Sequence, residues 1–384
     1  MIAHKIELRP SKSQVAYFKQ ACGTARFVYN WALSEWNRQY EAGEKPTAYK
    51  LRKQFNAIKY QQFPWLELIH RDAHALPFLN LGRAFTAFFK GVSKHPIFHK
   101  KGIHDSFQIA NEKFHIEGKK VRLPVIGWIR LREPLRFQGK IMSGTVSRTA
   151  NKWFLSVCVD AKPILKPKTG DKQLGVDLGI KNTMTISDGR QFQGPKSLAK
   201  NLKRLQSKSR QLSKKVKGSK NREKAKLRLS KLHYRISCQR NDFLHKATTM
   251  LVRESQAICI EDLAVENMVK NHKLARHLMD ASFGEARRQF EYKSVWYGTE
   301  LHTADRFYPS SKTCSGCGNI KQDLKLFDRV YHCENCGLTI DRDINAAINL
   351  RKQLPMASRE VKPVDSTVSL DEAGTKSVPM FAFA

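Results

Sequence analysis

The spacing of apolar positions changes several times along the chain, and each change marks a different kind of element. Residues 1–7 alternate and predict a short strand. From Ser11, a good N-cap, the period becomes helical, with Val15, Phe18 and Cys22 on one stripe. A second helix is predicted over 24–42, where Phe27, Val28, Trp31, Ala32, Leu33 and Trp36 recur at three and four residues. Pro46 interrupts, a basic helix resumes at Ala48, and residues 84–89 close the region. Residues 10–92 therefore read as a small helical bundle with a basic face, its aromatics belonging to the core.

From about Ser106 the period is two. Short strands are predicted at 107–109, 114–116, 120–123, 127–131, 144–148 and 153–159, separated by Gly, Pro or Asn. Many short strands at close spacing predict a compact barrel. Residues 163–172, with two prolines, form the best linker and lead into Gln173-Leu-Gly-Val-Asp-Leu-Gly-Ile. There Leu174, Val176 and Leu178 alternate with Gly175, Asp177 and Gly179, which predicts a strand carrying Asp177 on the face opposite the leucines. Glycines beside an acid let a substrate backbone or a metal come close. Thr183–Ser187 and Arg190–Phe192 add two strands around Asp188-Gly189, a type I′ hairpin signal. An acid at the head of such a meander is how an RNase H-like fold begins; the alternative is a strand-end acid facing solvent.

Leu198, Leu202 and Leu205, then Leu229, Leu232 and Ile236, predict a helical hairpin turning at Gly218-Ser219. A strand at 257–260 ends on Glu261-Asp262, a helix is predicted over 284–298, and a strand over 300–304. The last stretch, 355–384, lacks periodicity and reads as a disordered tail.

Charge narrows the function. Lys and Arg number 69 against 34 acids, a net charge of +35. Residues 196–240 alone hold seventeen of these cations and one acid, Glu223. A solvated helix mixes both signs along a face, so this hairpin predicts a bound phosphate backbone. The first ten residues lack the apolar core of a signal peptide, and no apolar run approaches a membrane span. A soluble, intracellular protein with a polyanionic partner is expected, and no membrane partner.

Two sets of residues carry candidate chemistry. Cys314-Ser-Gly-Cys317 and Cys333-Glu-Asn-Cys336, fifteen residues apart, predict a closed thiolate cage for a structural Zn²⁺. Cys22, Cys158, Cys238 and Cys259 read as ordinary buried thiols. Asp177, Glu261 and Asp343 supply hard oxygens from a first strand, a later strand end and a helix start, as a two-metal phosphodiesterase with Mg²⁺ or Mn²⁺ requires. An N-cap role is the bland reading of Asp343.

These motifs carry a family resemblance. Gly175-Val-Asp-Leu-Gly-Ile, Ile258-Cys-Ile-Glu-Asp-Leu, the cysteine pairs and Asp343-Ile-Asn-Ala-Ala resemble the RuvC-type motifs and zinc ribbon of TnpB proteins, transposon-encoded RNA-guided nucleases. Arg26–Leu33 and Lys152–Val157 are similar to that family too. The resemblance implies an α+β multidomain architecture: a wedge β-barrel (1–8 and 104–168) carrying an inserted helical recognition lobe (9–103), an RNase H-like RuvC nuclease domain (169–306 and 341–354), and an inserted zinc ribbon (307–340) that binds target nucleic acid. It implies Asp177, Glu261 and Asp343 as catalytic acids, Asp341 being a second candidate for the last. Its implied partners are a guide RNA from the transposon end and a double-stranded DNA target, cut beside a short flanking motif in a prokaryotic, nucleoid-associated setting. At 74–78 this chain has His-Ala-Leu-Pro-Phe where relatives carry a polar, Gln-containing helix, in a segment implicated in reading that motif. The rivals are a guided binder that does not cut, a transposase of the same fold, and a plain ribonuclease H.

Overall fold

The computed structural model describes residues 1–161, 168–325 and 327–355. Half of the expected linker, 163–167, and nearly all of the expected tail fall outside these residues.

Among the described residues, seven antiparallel strands form the first sheet: β1 (Ile2–Arg9), β2 (Ser106–Ala110), β3 (His115–Glu117), β4 (Lys120–Leu123), β5 (Gly127–Leu131), β6 (Lys140–Thr149) and β7 (Lys152–Asp160). Their order is β2-β6-β7-β1-β5-β4-β3. No described ladder joins β2 to β3, so hydrogen bonding leaves open what the sequence predicted as a barrel. Strand number and spacing do not fix whether a sheet closes; tilt and stagger do. Alternate residues Ile6, Leu8, Val121, Ile129, Val157 and Val159 face one core.

The helix α1 (Lys12–Glu41) closes that core and also begins the next one. Ser11 accepts from the Gln14 amide and Gln14 accepts from the Ser11 amide, a full capping box. The sequence predicted two helices here; one runs through. Gly23 lowers helix propensity by about 1 kcal/mol, yet buried Cys22 and Thr24 on either side hold the turn in place. Phe18, Ala21 and Cys22 pack on the sheet, while Val28, Leu33 and Trp36 pack against α2 (Ala48–Gln62) and α3 (Asp72–Phe89). Pro77 lies inside α3 near its start.

The second sheet holds β8 (Lys172–Asp177), β9 (Met184–Ile186), β10 (Gln191–Phe192), β11 (Ser255–Ile260) and β12 (Glu300–Thr303), in the order β10-β9-β8-β11-β12. β8, β9 and β10 form an antiparallel meander, and β11 and β12 run parallel to β8. That is the RNase H-like arrangement. The β9–β10 turn differs from expectation: Gly189 takes φ +91° while Asp188 does not turn positive, and Ile186 N donates to Arg190 O. It is a three-residue loop with a left-handed glycine, not a type I′ turn.

Between β10 and β11 rise α4 (Ser197–Ser213) and α5 (Lys220–Glu254), zipped by Leu205, Leu232 and Ile236, with Ser219 capping α5. The far half of α5 buries Leu244, Leu251 and Val252 on the sheet. α6 (Val265–Met268), α7 (His272–Ala281) and α8 (Phe283–Tyr297) connect β11 to β12. A small hairpin, β13 (Val330–His332) and β14 (Thr339–Asp341), precedes α9 (Arg342–Lys352). Ring contacts Phe137–Trp296 (5.6 Å) and Phe154–Tyr234 (6.2 Å) join the two sheets' halves of the molecule. Of the four scattered cysteines, Cys22 and Cys259 are buried as expected, but Cys158 is only partly covered and Cys238 lies exposed.

Candidate active site

Parallel register brings the first two acids together. Val176 pairs with Ile260, so Asp177 closes β8 beside Glu261, the first residue past β11. Both therefore sit at carboxyl ends of adjacent parallel strands, where open α/β sheets bind ligands.

The third acid arrives on α9, which crosses β8 at Gly175. A Cβ built there would lie 2.0 Å from Ala347 O and 2.4 Å from Arg351 N. Only glycine lets the helix backbone come this near; the glycine beside the acid admits a helix, where a substrate or metal was anticipated. Ala346 and Ala347 are buried for the same reason. Asp341, not Asp343, is the N-cap: its Oδ1 accepts from Asp343 N (2.9 Å) and Ile344 N (3.2 Å). The cap leaves the Asp343 carboxylate, one residue inside the helix, available to the cluster.

Electrostatics couple Asp177 to both of the other acids. Burial, then the charges of Glu261 and Asp343, push the Asp177 carboxyl well above its usual range, with Arg342 pulling the other way. Burial also raises Glu261, with Asp343 adding to it and the Ser310 hydroxyl opposing. Arg342 lies 3.6 Å from Asp343. The adjoining Asp262 behaves oppositely, held low by Arg287 and Arg306 at 2.5 Å each. Carboxylate oxygens at neighbouring strand ends are hard donors, the type that divalent cations such as Mg²⁺ take.

The cysteines form a tighter group. Among the described residues they are the one group of three or more His, Cys, Asp or Glu whose ligand atoms all lie within 4.8 Å of one another; the three acids stand farther apart than that. Cys314–Cys336 and Cys317–Cys333 sulfurs stand 3.6 Å apart. Four Zn–S bonds of about 2.3 Å at tetrahedral angles require about 3.8 Å, so the donor set fits zinc. Each pair ends in a left-handed glycine, Gly318 (φ +80°) and Gly337 (φ +72°), whose amides donate to Cys314 O and Cys333 O. Hydrogen bonds from Asn335 and the Asn319 backbone lower the Cys317 thiol to about 6, favouring the thiolate a metal needs.

The sequence reading passed over the segment linking the two clusters. Ser310 Oγ donates to Glu261 Oε1 at 2.6 Å. Asn345 and Asn349 of α9 bond to the backbone at Ser310, Thr313 and Ser315. The only hint was Tyr308-Pro-Ser-Ser-Lys-Thr, polar residues without a period. The basic hairpin stands as expected: among the described residues, none of its seventeen Lys and Arg has an acid within 4.0 Å.

Strand order, acids at parallel strand ends and a cysteine ribbon lodged ahead of α9 together mark the RuvC-like class of the RNase H fold. Three family models match the chain: one described as "Probable transposase" over residues 156–280, a "Cas12f1-like, TNB domain" over 283–350, and a "Helix-turn-helix domain" over 1–45. In the last span the structure holds β1 and one continuous helix. A Streptomyces pristinaespiralis protein named "Putative RNA-guided DNA endonuclease" is 35% identical, over 91% of this chain and 88% of its own. InsQ of Escherichia coli (strain K12), named likewise, is 32% identical over 91% of each. "TnpB-like protein L79" of Acanthamoeba polyphaga mimivirus is 36% identical over 35% of this chain and 26% of its own. A solved CasPhi-2 (Cas12j) bound to crRNA is similar at 10% identity and a TM-score of 0.43, covering 91% of this chain and 97% of that one. The chain belongs to the TnpB family.

Proposed function

We propose that this chain is an RNA-guided DNA endonuclease in which Asp177, Glu261 and Asp343 are the catalytic acids. The observation that carries the reading is the β8–β11 register, which sets Asp177 beside Glu261 while α9 delivers Asp343 to the same region. The three carboxylates would hold a pair of Mg²⁺ or Mn²⁺ ions, which supply Lewis acidity toward an attacking water and a departing 3′ oxygen. The acids' own part is to bind and orient, on strand ends and a helix start, in a strongly cationic protein. Relatives named as RNA-guided DNA endonucleases support RNA and DNA as the polyanions.

In this reading sequence choice is delegated to guide pairing, and the protein reads backbone shape plus a short flanking DNA motif. The first sheet acts as the wedge and α1–α3 as the recognition lobe. The α4–α5 hairpin touches guide or heteroduplex. The ribbon, around a structural Zn²⁺, helps load the target strand. The guide derives from the transposon end.

The test is to sequence the RNA that co-purifies with the protein, then present DNA matching it beside a randomised flank. Mg²⁺-dependent cuts confined to matched DNA support the reading; binding without cutting overturns it. A second reading, strand transfer, draws on the "Probable transposase" description. Joined products with transposon ends would favour it.

A further inference from the structure

We propose that Ser310 is a positioning residue for Glu261, and that through it the first cysteine pair and α9 become one scaffold for the acids. The proposal rests on the reading of Asp177, Glu261 and Asp343 as the catalytic trio.

Glu261 lies one residue beyond the last β8–β11 pair, so the ladder does not restrain its side chain. Repulsion from Asp177 and Asp343 would swing a free glutamate away. Ser310 counters this by donating to Oε1 at 2.6 Å, leaving Oε2 outside that bond. Ser310 is itself buried and fixed: its amide donates to Tyr308 O (2.8 Å) and its carbonyl accepts from Asn349 Nδ2 (2.8 Å). A few residues on, Thr313 O accepts from both Asn345 (2.7 Å) and Asn349 (2.6 Å), and Ser315 N donates to Asn345 Oδ1 (2.9 Å). Both asparagines are buried and lie one helical turn apart on α9, just after Asp343. The same short segment therefore grips Glu261 on one side and the helix bearing Asp343 on the other. Outer partners of this kind fix the direction of metal-binding carboxylates.

The test compares guide-loaded wild type, Ser310→Ala, Ser310→Thr and Glu261→Ala in matched-DNA cleavage across a Mg²⁺ series, with zinc content and Tm measured alongside. We expect Ser310→Ala to raise the Mg²⁺ concentration for half-maximal cleavage about tenfold or more. Ser310→Thr, which keeps the hydroxyl, should restore the wild-type curve, with zinc content and Tm unchanged throughout. A wild-type Mg²⁺ curve for Ser310→Ala overturns the proposal. So does a loss accompanied by lowered zinc content or Tm, which would make the role structural, or an equal loss in Ser310→Thr. Cleavage surviving in Glu261→Ala would instead strike the trio itself.

Discussion

The four cysteines and the three acids are both gatherings of like groups, yet they are assembled differently. The cysteines come from two short turns only fifteen residues apart, and their sulfurs already stand at the spacing a zinc ion imposes. The acids come from positions 177, 261 and 343 and draw near one another only because of a parallel register and a helix crossing. One site is local and closed. The other is global and self-repelling, and in the proposed reading a pair of cations would offset that repulsion.

The contrast can be broken most severely at the acids. Asp177→Ala or Glu261→Ala should cut the cleavage rate by roughly 10³-fold or more, some 4 kcal/mol of barrier, with guide RNA still bound. RNA retention is read by co-purification and cleavage by matched-DNA digestion; cleavage surviving either change would refute the trio. Gly175→Ala should come next, destabilising the protein by about 3 kcal/mol or more, because the new methyl meets backbone that cannot give way. Denaturant unfolding checks the loss, and a near-neutral outcome would mean that α9 is free to move off β8. Zinc content of the folded fraction should stay unchanged, since the cysteine turns carry their own geometry.

Cys317→Ser sharpens the comparison from the other end. It should abolish stoichiometric zinc and loosen proteolytic protection of 307–340 while the two sheets keep their melting transition, as judged by metal analysis and limited proteolysis. The smallest effect is expected at the N-cap. Asp341→Asn keeps an acceptor for the Asp343 and Ile344 amides and should leave cleavage near wild type, whereas Asp341→Ala should cost about 1 kcal/mol of stability. Asp343→Asn, by contrast, should remove cleavage. The opposite pattern would hand the third position to Asp341.

The same contrast explains what the sequence made legible. The cysteine turns were readable because ligand identity and spacing are both local. The acids were readable one at a time, each at a strand end or helix start, and strand order then follows from the meander of Thr183–Phe192 and the apolar run 257–260. What carries them together was hidden: the clash at Gly175 involves Ala347 and Arg351, far along the chain, and no local pattern announces it. Ser310 was missed because a serine in an irregular segment has no period. Tertiary packing also overrode local signals elsewhere. Buried Cys22 and Thr24 carry α1 through Gly23, and a bulge-type loop replaces the turn that Asp188-Gly189 suggested. Cys238 is exposed although Leu232 and Ile236 on the same stretch of α5 are buried against α4.

The most direct measurement is an anomalous diffraction map from crystals of the protein soaked in Mn²⁺. Peaks bounded by the carboxylates of Asp177, Glu261 and Asp343 are predicted, with the four cysteines keeping their own ion. Well-ordered carboxylates with manganese bound only elsewhere would contradict the account.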